Sequence, residues 1–274
     1  MNWHKLVLHD LRCGLLRKRY AATILLFALP CLICHAYITA TANSCTWADY
    51  MLYCFKGIAP ISLTDTIQDF RLPILWLICM GGLLFLCLDY PLNDLTNAGQ
   101  QVIFRCGSKV RWYLSKCVWN LCSSLLYFAL ATFTTALFTL LSGGSLSLRG
   151  TPELAPFLLD TFDFISLSAG KTAILTIVSP FLTLAALNMI QMTLCLLIKP
   201  VYSFLLCMSA LVLSIYWPSA FALGNGAMAV RSALSCADGI STSSQISIAV
   251  GAILVATAAG TIKFKRFDIL GQEE

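Results

Sequence analysis

Thiols are the most numerous reactive groups in this sequence, with thirteen cysteines in 274 residues. That number suits a disulfide scaffold, a metal centre or a redox pair. Their placement points elsewhere. Ten lie in long apolar runs or in segments read below as cytoplasmic, and only Cys45, Cys54 and Cys236 fall in segments read as external. Cys31 and Cys34 form a C-x-x-C, but within an apolar run, where cysteine acts as a small hydrophobe. A Cys45–Cys54 bridge and a pair of free thiols both remain open for an oxidising exterior. His4, His9 and His35 are scattered, and Asp89 stands at the end of an apolar run rather than inside one. No catalytic set emerges. Nor does a mid-run acid or base of the kind a proton-driven carrier uses.

Two short runs imitate nucleotide chemistry. Leu141-Ser142-Gly143-Gly144-Ser145 resembles a cassette signature, and Gly170-Lys171-Thr172 resembles the end of a phosphate loop. The latter motif needs glycine five positions before Gly170, where Ile165 stands. Both runs fall at external ends of apolar segments, with no strand–loop–helix unit around them. The chain is expected to bind no nucleotide, metal or other cofactor itself.

The elements that would carry any chemistry are membrane helices. Hydrophobic residues make up 58% of the chain and charged residues 11%, against about 25% charged in a soluble domain. Mean hydropathy is +0.80. The expected fold is an all-α membrane protein with six transmembrane helices, at about 21–40, 72–90, 114–141, 172–198, 201–217 and 246–262, each near the ~20 residues a crossing requires. Pro180 is expected to free a backbone carbonyl and kink the fourth span. Ile198-Lys199-Pro200 is a tight link that should fold the fourth and fifth spans into an antiparallel hairpin.

Ahead of the first span, Trp3, Val7, Leu11 and Leu15 recur every four residues, with Lys5, His9 and Arg12 on the other side. That pattern reads as an interfacial amphipathic helix over 1–20. The alternative is a signal-peptide n-region ahead of Ala40-Thr41-Ala42; the further spans favour the interfacial helix. Basic residues set the orientation. With the N-terminus inside, 13 of 18 Lys and Arg face inward (Lys5, Arg12, Arg17, Lys18, Arg19, Arg105, Lys109, Arg111, Lys116, Lys199, Lys263, Lys265 and Arg266). Both termini are therefore expected in the cytoplasm. The net charge of +5 reflects those inner segments, and no nucleic acid is expected as a partner. Residues 218–245 form an external segment whose first part, 218–235, is apolar yet broken by Gly224 and Gly226 and reads as partly inserted.

Within the spans, Asn120, Asn188 and Gln191 supply neutral polar groups, the last two on one helical face. They read as interhelical hydrogen-bonding groups, with a pathway or dimer-facing patch as the alternative. Ala252, Ala256 and Gly260 form a four-residue stripe that lets helix backbones approach closely, whether the partner lies in this chain or in another.

The most informative stretch is 88–120. A turn at Tyr90-Pro91 leads to Asp94, a polar section, then Arg105, Lys109, Arg111, Trp112 and Lys116, with Trp119 beyond. Its plain reading is a basic inner loop. Its sharper reading is a docking element at 92–112, joined rigidly to two spans. Phe55-Lys56-Gly57, Pro73-Ile74-Leu75-Trp76-Leu77, Tyr90-Pro91, Asp94-Leu95, Gly99-Gln100-Gln101, Arg105, Ser108-Lys109-Val110-Arg111-Trp112, Leu114-Ser115-Lys116, Trp119 and the basic tail from Lys263 to Leu270 occur in an order that resembles the permease subunit of type-2 ABC exporters, especially small Gram-positive bacterial permeases. The resemblance implies a half-transporter in the cytoplasmic membrane that pairs with a second permease, identical or not. Each permease would sit on a separate ABC ATPase subunit that holds ATP and magnesium. Relatives export, or give immunity to, antimicrobial peptides such as lantibiotics; others handle drugs or lipids. It also implies that Asp94, Arg105, Lys109, Arg111, Trp112 and Lys116 couple the ATPase to the spans. The chain departs from that pattern in having no mid-span charge for an ionic substrate. A non-transporting accessory or sensor subunit is the competing reading. A membrane enzyme is disfavoured by the lack of converging ionisable residues.

Overall fold

The computed structural model describes residues 3–15, 18–42, 44–60, 72–96, 102–104, 107–159 and 167–266. Lipid offers no hydrogen bonds to a bare backbone, so an apolar chain of this kind must satisfy its peptide groups within helices. Helices account for nearly all the regular structure described, with two isolated β-bridges and no strand. In chain order they are α1 (Trp3–Leu15), α2 (Ala22–Thr41, entered by a 3-10 turn at Lys18–Ala21), α3 (Trp47–Phe55), α4 (Ile74–Cys87), α5 (Tyr90–Asp94), α6 (102–104), α7 (Lys109–Leu141), α8 (Ala155–Leu159), α9 (Ala169–Ala173), α10 (Ser179–Cys195), α11 (Pro200–Tyr216) and α12 (Thr242–Arg266).

Five stretches among the described residues are long and apolar enough to cross a bilayer: Lys18–Thr41, Ile74–Asp94, Lys109–Leu141, Ala169–Cys195 and Thr242–Lys265. The chain is thus a multi-pass helical membrane protein. The expected fifth span differs. Helix α11 has 17 residues, or about 25 Å of rise, short of the ~30 Å hydrocarbon layer. It does pack on α10 behind the tight turn, and Cys207 of α11 faces the Leu187 carbonyl of α10, as an antiparallel hairpin requires.

Spans α4 and α10 are the most enclosed and α12 the least. The main core joins Phe27 of α2, Phe55 of α3, Leu83 and Leu84 of α4, Tyr127 of α7, Leu187 of α10 and Leu211 of α11. Helix α7 is the longest element. Its 33 residues make a rod of about 50 Å, so it must extend well past the ~30 Å layer. It stops where Gly143 turns to φ 75°. There the Gly143 N–H donates to the Leu140 carbonyl (3.1 Å) and the Gly144 N–H to the Thr139 carbonyl (2.9 Å), the paired bonds of a Schellman cap. The run that resembles a cassette signature is therefore a helix stop.

Pro180 changes the hydrogen-bond register of its span. Lacking an N–H, it cannot bond the carbonyl four residues back. The helix takes a π register over Ile174–Val178, with the Ser179 N–H bonding the Ile174 carbonyl.

The segment after α11 forms short turns packed into the bundle and not an exposed coil. Two 3-10 turns, Leu223–Ala227 and Ala229–Arg231, bury Ala227, Met228, Ala229 and Val230; the first packs on α10, α11 and α12. Trp76 Nε1 donates to the Ala227 carbonyl at 2.9 Å, and Ser179 Oγ to the Gly226 carbonyl at 2.5 Å. Irregular backbone is tolerated among membrane helices when protein groups satisfy it in this way. Cys45 and Cys54 are both free and buried. They lie in different core clusters, and the helix between them spaces them too far apart for a bridge.

Candidate functional site: a charged junction on the long helix

The α7 sequence brings Trp112, Ser115, Lys116 and Trp119 onto neighbouring faces at three- and four-residue spacings. In α1, a parallel stripe of Leu6, Asp10 and Gly14 is buried, and α1 packs on α7. Gly14 is needed at the crossing, because a Cβ there would fall 2.0 Å from Trp119 Nε1. The close approach delivers Asp10 to Lys116. One Asp10 oxygen accepts from Lys116 Nζ at 2.5 Å and the other from Ser115 Oγ at 2.5 Å.

Lys116 Nζ also reaches Asp94 Oδ2 at 2.7 Å. Asp94 lies at the end of α5, the short helix that continues from α4, and accepts from Trp112 Nε1 at 3.1 Å. The ammonium lies 4.9 Å from the Tyr90 ring centroid and 5.1 Å from that of Trp112, a cation–π enclosure. Tyr90 OH donates to the Asp10 backbone carbonyl at 3.2 Å. Lys116 and Asp10 are shielded almost completely, and Asp94 is 11% exposed. One cation thus joins two carboxylates from two other elements. Charges this buried persist only when paired and hydrogen-bonded.

A second layer links the junction to the last helix. Phe264 of α12 stacks on Trp112 at 5.2 Å and Tyr113 at 5.5 Å. Tyr113 OH shares a 2.9 Å bond with Thr193 Oγ1 and donates to the Ala256 carbonyl at 3.1 Å. Gly260 makes room, since a Cβ there would come 2.0 Å from the Tyr113 oxygen. The Ala256/Gly260 part of the small-residue stripe therefore meets α7 and α10 of the same chain, and Ala252 lies half-buried beside it.

The structure divides the expected coupling residues into two groups. Asp94, Trp112 and Lys116 come together, but the latter two are fully buried and no partner protein can touch them. Arg111 is exposed on the first turn of α7 and Lys109 is half-buried. Arg105 lies outside the described residues, as do 97–101. Phe104 is 68% exposed next to buried Ile103, so the described part of this segment offers an aromatic and a cationic handle.

On α1 the stripe facing the protein is Leu6-Asp10-Gly14. Val7, Leu11 and Leu15 are half-buried on its flank and Trp3 is exposed. The mid-span polar groups link helices. Asn120 Nδ2 donates to the Asn188 carbonyl at 3.1 Å, Asn188 Nδ2 to Ser124 Oγ at 3.2 Å, and Gln191 Nε2 to the Leu84 carbonyl at 2.7 Å. Among the described residues no cluster of three or more His, Cys, Asp or Glu is placed to hold a metal.

Sequence reasoning missed Asp10 and two anchors at the other end of the bundle. The signal for Asp10 was present: a lone acid in a basic helix, four residues from Leu6 and Gly14. Asp49 is buried in α3 and accepts from the Thr46 N–H and hydroxyl (both 2.9 Å), the Thr151 N–H (2.9 Å) and the Thr151 hydroxyl (2.7 Å). Arg231 is 1% exposed. Its Nε donates to the Ile58 carbonyl at 2.8 Å. Nη1 donates to the Ser214 carbonyl and Asn225 Oδ1, and Nη2 to the Ile215 carbonyl, all at 2.6 Å. Ser214 and Ile215 end α11, so the guanidinium caps that helix at its negative pole. Burial lowers its pKa to about 10, which leaves it charged at neutral pH.

A family model matches residues 24–270; its description is a protein of unknown function (DUF2705). No curated protein and no solved structure matches the chain.

Proposed function

The chain belongs to the DUF2705 family, and from that premise we propose that it is the permease subunit of an ATP-binding cassette exporter. In this reading α11 is the fifth of six crossings and both termini face the cytoplasm. A separate ATPase subunit carries ATP and magnesium, and a second permease completes the pathway. The cargo is hydrophobic or amphipathic, with an antimicrobial peptide the leading class.

One observation carries the reading. Lys116 ties the N-terminal helix, the turn after α4 and the long helix α7 into one body. A force applied near Phe104 and Arg111 would enter α7 at its inner end and run along a rod of about 50 Å to the external face. Phe264 extends the same body to α12. Coupling by a rigid lever needs such a junction; a helix bundle that only anchors another complex does not. The competing reading, an accessory or sensor subunit, shares the basic inner surface but assigns no task to the lever.

The test is reconstitution with the cassette ATPase that copurifies with the chain. Arg105→Glu with Arg111→Glu should leave insertion intact and separate ATP hydrolysis from cargo export. Unchanged export by the double variant would reject the docking surface. An ATPase that neither copurifies nor responds to the chain would favour the accessory reading.

A further inference from the structure

The first span opens with positive charge that nothing among the described residues neutralises. Lys18 and Arg19 occupy its opening turn, Lys18–Ala21, which holds no acid, and α2 has no side-chain cap at its start. A helix N-terminus is itself a positive pole, where a further cation is disfavoured and an anion favoured. The carboxylates of Asp10 and Asp94 are both committed to Lys116.

Arg19 is half-buried. Its Nε and Nη2 atoms are shielded from solvent and have no hydrogen-bond partner. These two N–H groups share one edge of the planar guanidinium, so a single acceptor can take both. One turn further along, the Thr23 hydroxyl is fully buried and also has no partner. Side chains on a helix lean toward its N-terminus, which tilts Thr23 back toward the turn that carries Arg19. Buried donors are rarely left orphaned. A shielded cation without a counter-charge costs far more than an unpaired hydroxyl, so the acceptor that suits this set carries negative charge.

We infer that the start of α2 is a binding site for a small monovalent anion of the chloride class, held by Arg19 Nε and Nη2 and the Thr23 hydroxyl at the positive pole of the helix. The donor atoms are shielded, so the ion must give up water to reach them. That cost rises with the square of the charge, which favours a halide over phosphate or sulfate. The inference goes beyond the permease reading and does not rest on it, because the charge balance belongs to this helix start in either kind of membrane subunit.

Equilibrium dialysis of the purified protein against radiolabelled chloride tests it, with gluconate replacing chloride so that ionic strength stays constant. The wild type should take up one chloride per chain, saturably. Arg19→Gln should weaken binding about tenfold, as expected for loss of a charge-assisted two-point contact. Thr23→Val keeps the cation and the side-chain shape, and should weaken binding about threefold for the loss of one neutral hydrogen bond; it carries the test alone if Arg19→Gln does not fold. Lys18→Gln, which alters the exposed neighbour, should leave the affinity nearly unchanged. No saturable uptake by the wild type overturns the site, and so does undiminished affinity in Arg19→Gln or Thr23→Val. A loss in Lys18→Gln equal to that in Arg19→Gln also overturns it, because it would mean diffuse surface attraction.

Discussion

The two ends of the bundle each bury a cation, and they do so by opposite means. Lys116 is held by two carboxylates and two aromatic rings. Arg231 is held by neutral oxygens: three backbone carbonyls within 2.8 Å and the Asn225 side chain. An ion-paired junction depends on its central cation, whose loss strands both carboxylates. A carbonyl cage has no titrating acceptor and fixes geometry regardless of conditions. The first end is held by mutual charge and the second by fixed backbone geometry.

The largest effect should come from Lys116→Met. It leaves Asp10 and Asp94 facing each other without a cation, and breaking a buried pair by removing one partner costs about 3–5 kcal/mol. Thermal unfolding in detergent should show a correspondingly large loss. The comparison sharpens with Asp94→Asn, which retains the Asp10–Lys116 bond and concerns the more exposed carboxylate, and should cost clearly less. Equal losses in the two variants would mean that the junction is not organised around Lys116.

Arg231→Lys should follow. An ammonium has three donors and no planar fork, so at least one carbonyl at the end of α11 loses its partner, at about 1–3 kcal/mol. Its pH dependence separates the two ends. The native pKa is lowered to about 10, below the ordinary arginine value. The charge is therefore present in both folded and unfolded states below that pH, and the burial cost is constant there. It is relieved only as pH rises through 10 toward the unfolded value. The stability gap between wild type and an Arg231→Met variant, which places no titrating group there, should stay flat from about pH 5 to 9, as read by thermal shift. A gap that closes within that range would show that titrating groups hold Arg231.

Gly260→Val should cost about 1–3 kcal/mol by overpacking against Tyr113. It should also loosen α12 from α7, visible as faster hydrogen exchange in the C-terminal turns of α12. Gly143→Ala should have the smallest effect, about 1 kcal/mol for placing a Cβ in the left-handed region. Its loss should be confined to fraying of the last turn of α7, and a change at the Lys116 junction would break the separation of the two ends.

Much of the bundle was legible in the linear sequence. Runs of about twenty apolar residues can only be helices in lipid, so five spans are found close to the positions expected from hydropathy. Pro180 marked a break in its helix and Lys199-Pro200 a tight turn, because both act through the local backbone. The segment 218–235 was recognisable as non-coil from its small apolar residues. Asp94, Trp112 and Lys116 could be singled out as a group, but their burial could not, since a basic residue in an inner loop reads as solvated by default.

What the sequence by itself determined is local: which stretches are helical, how long they are, and where backbone constraints end or bend them. Tertiary structure alone decided which polar residues meet. Asp10 and Lys116 are separated by over a hundred residues, Asp49 and Thr151 by nearly as many, and Arg231 reaches back to Ile58. Helical periodicity fixes a side chain's angle about its own axis and says nothing of which neighbour stands there. That choice came from close approaches, Gly14 on Trp119 and Gly260 on Tyr113, whose partners exist only once the helices are packed.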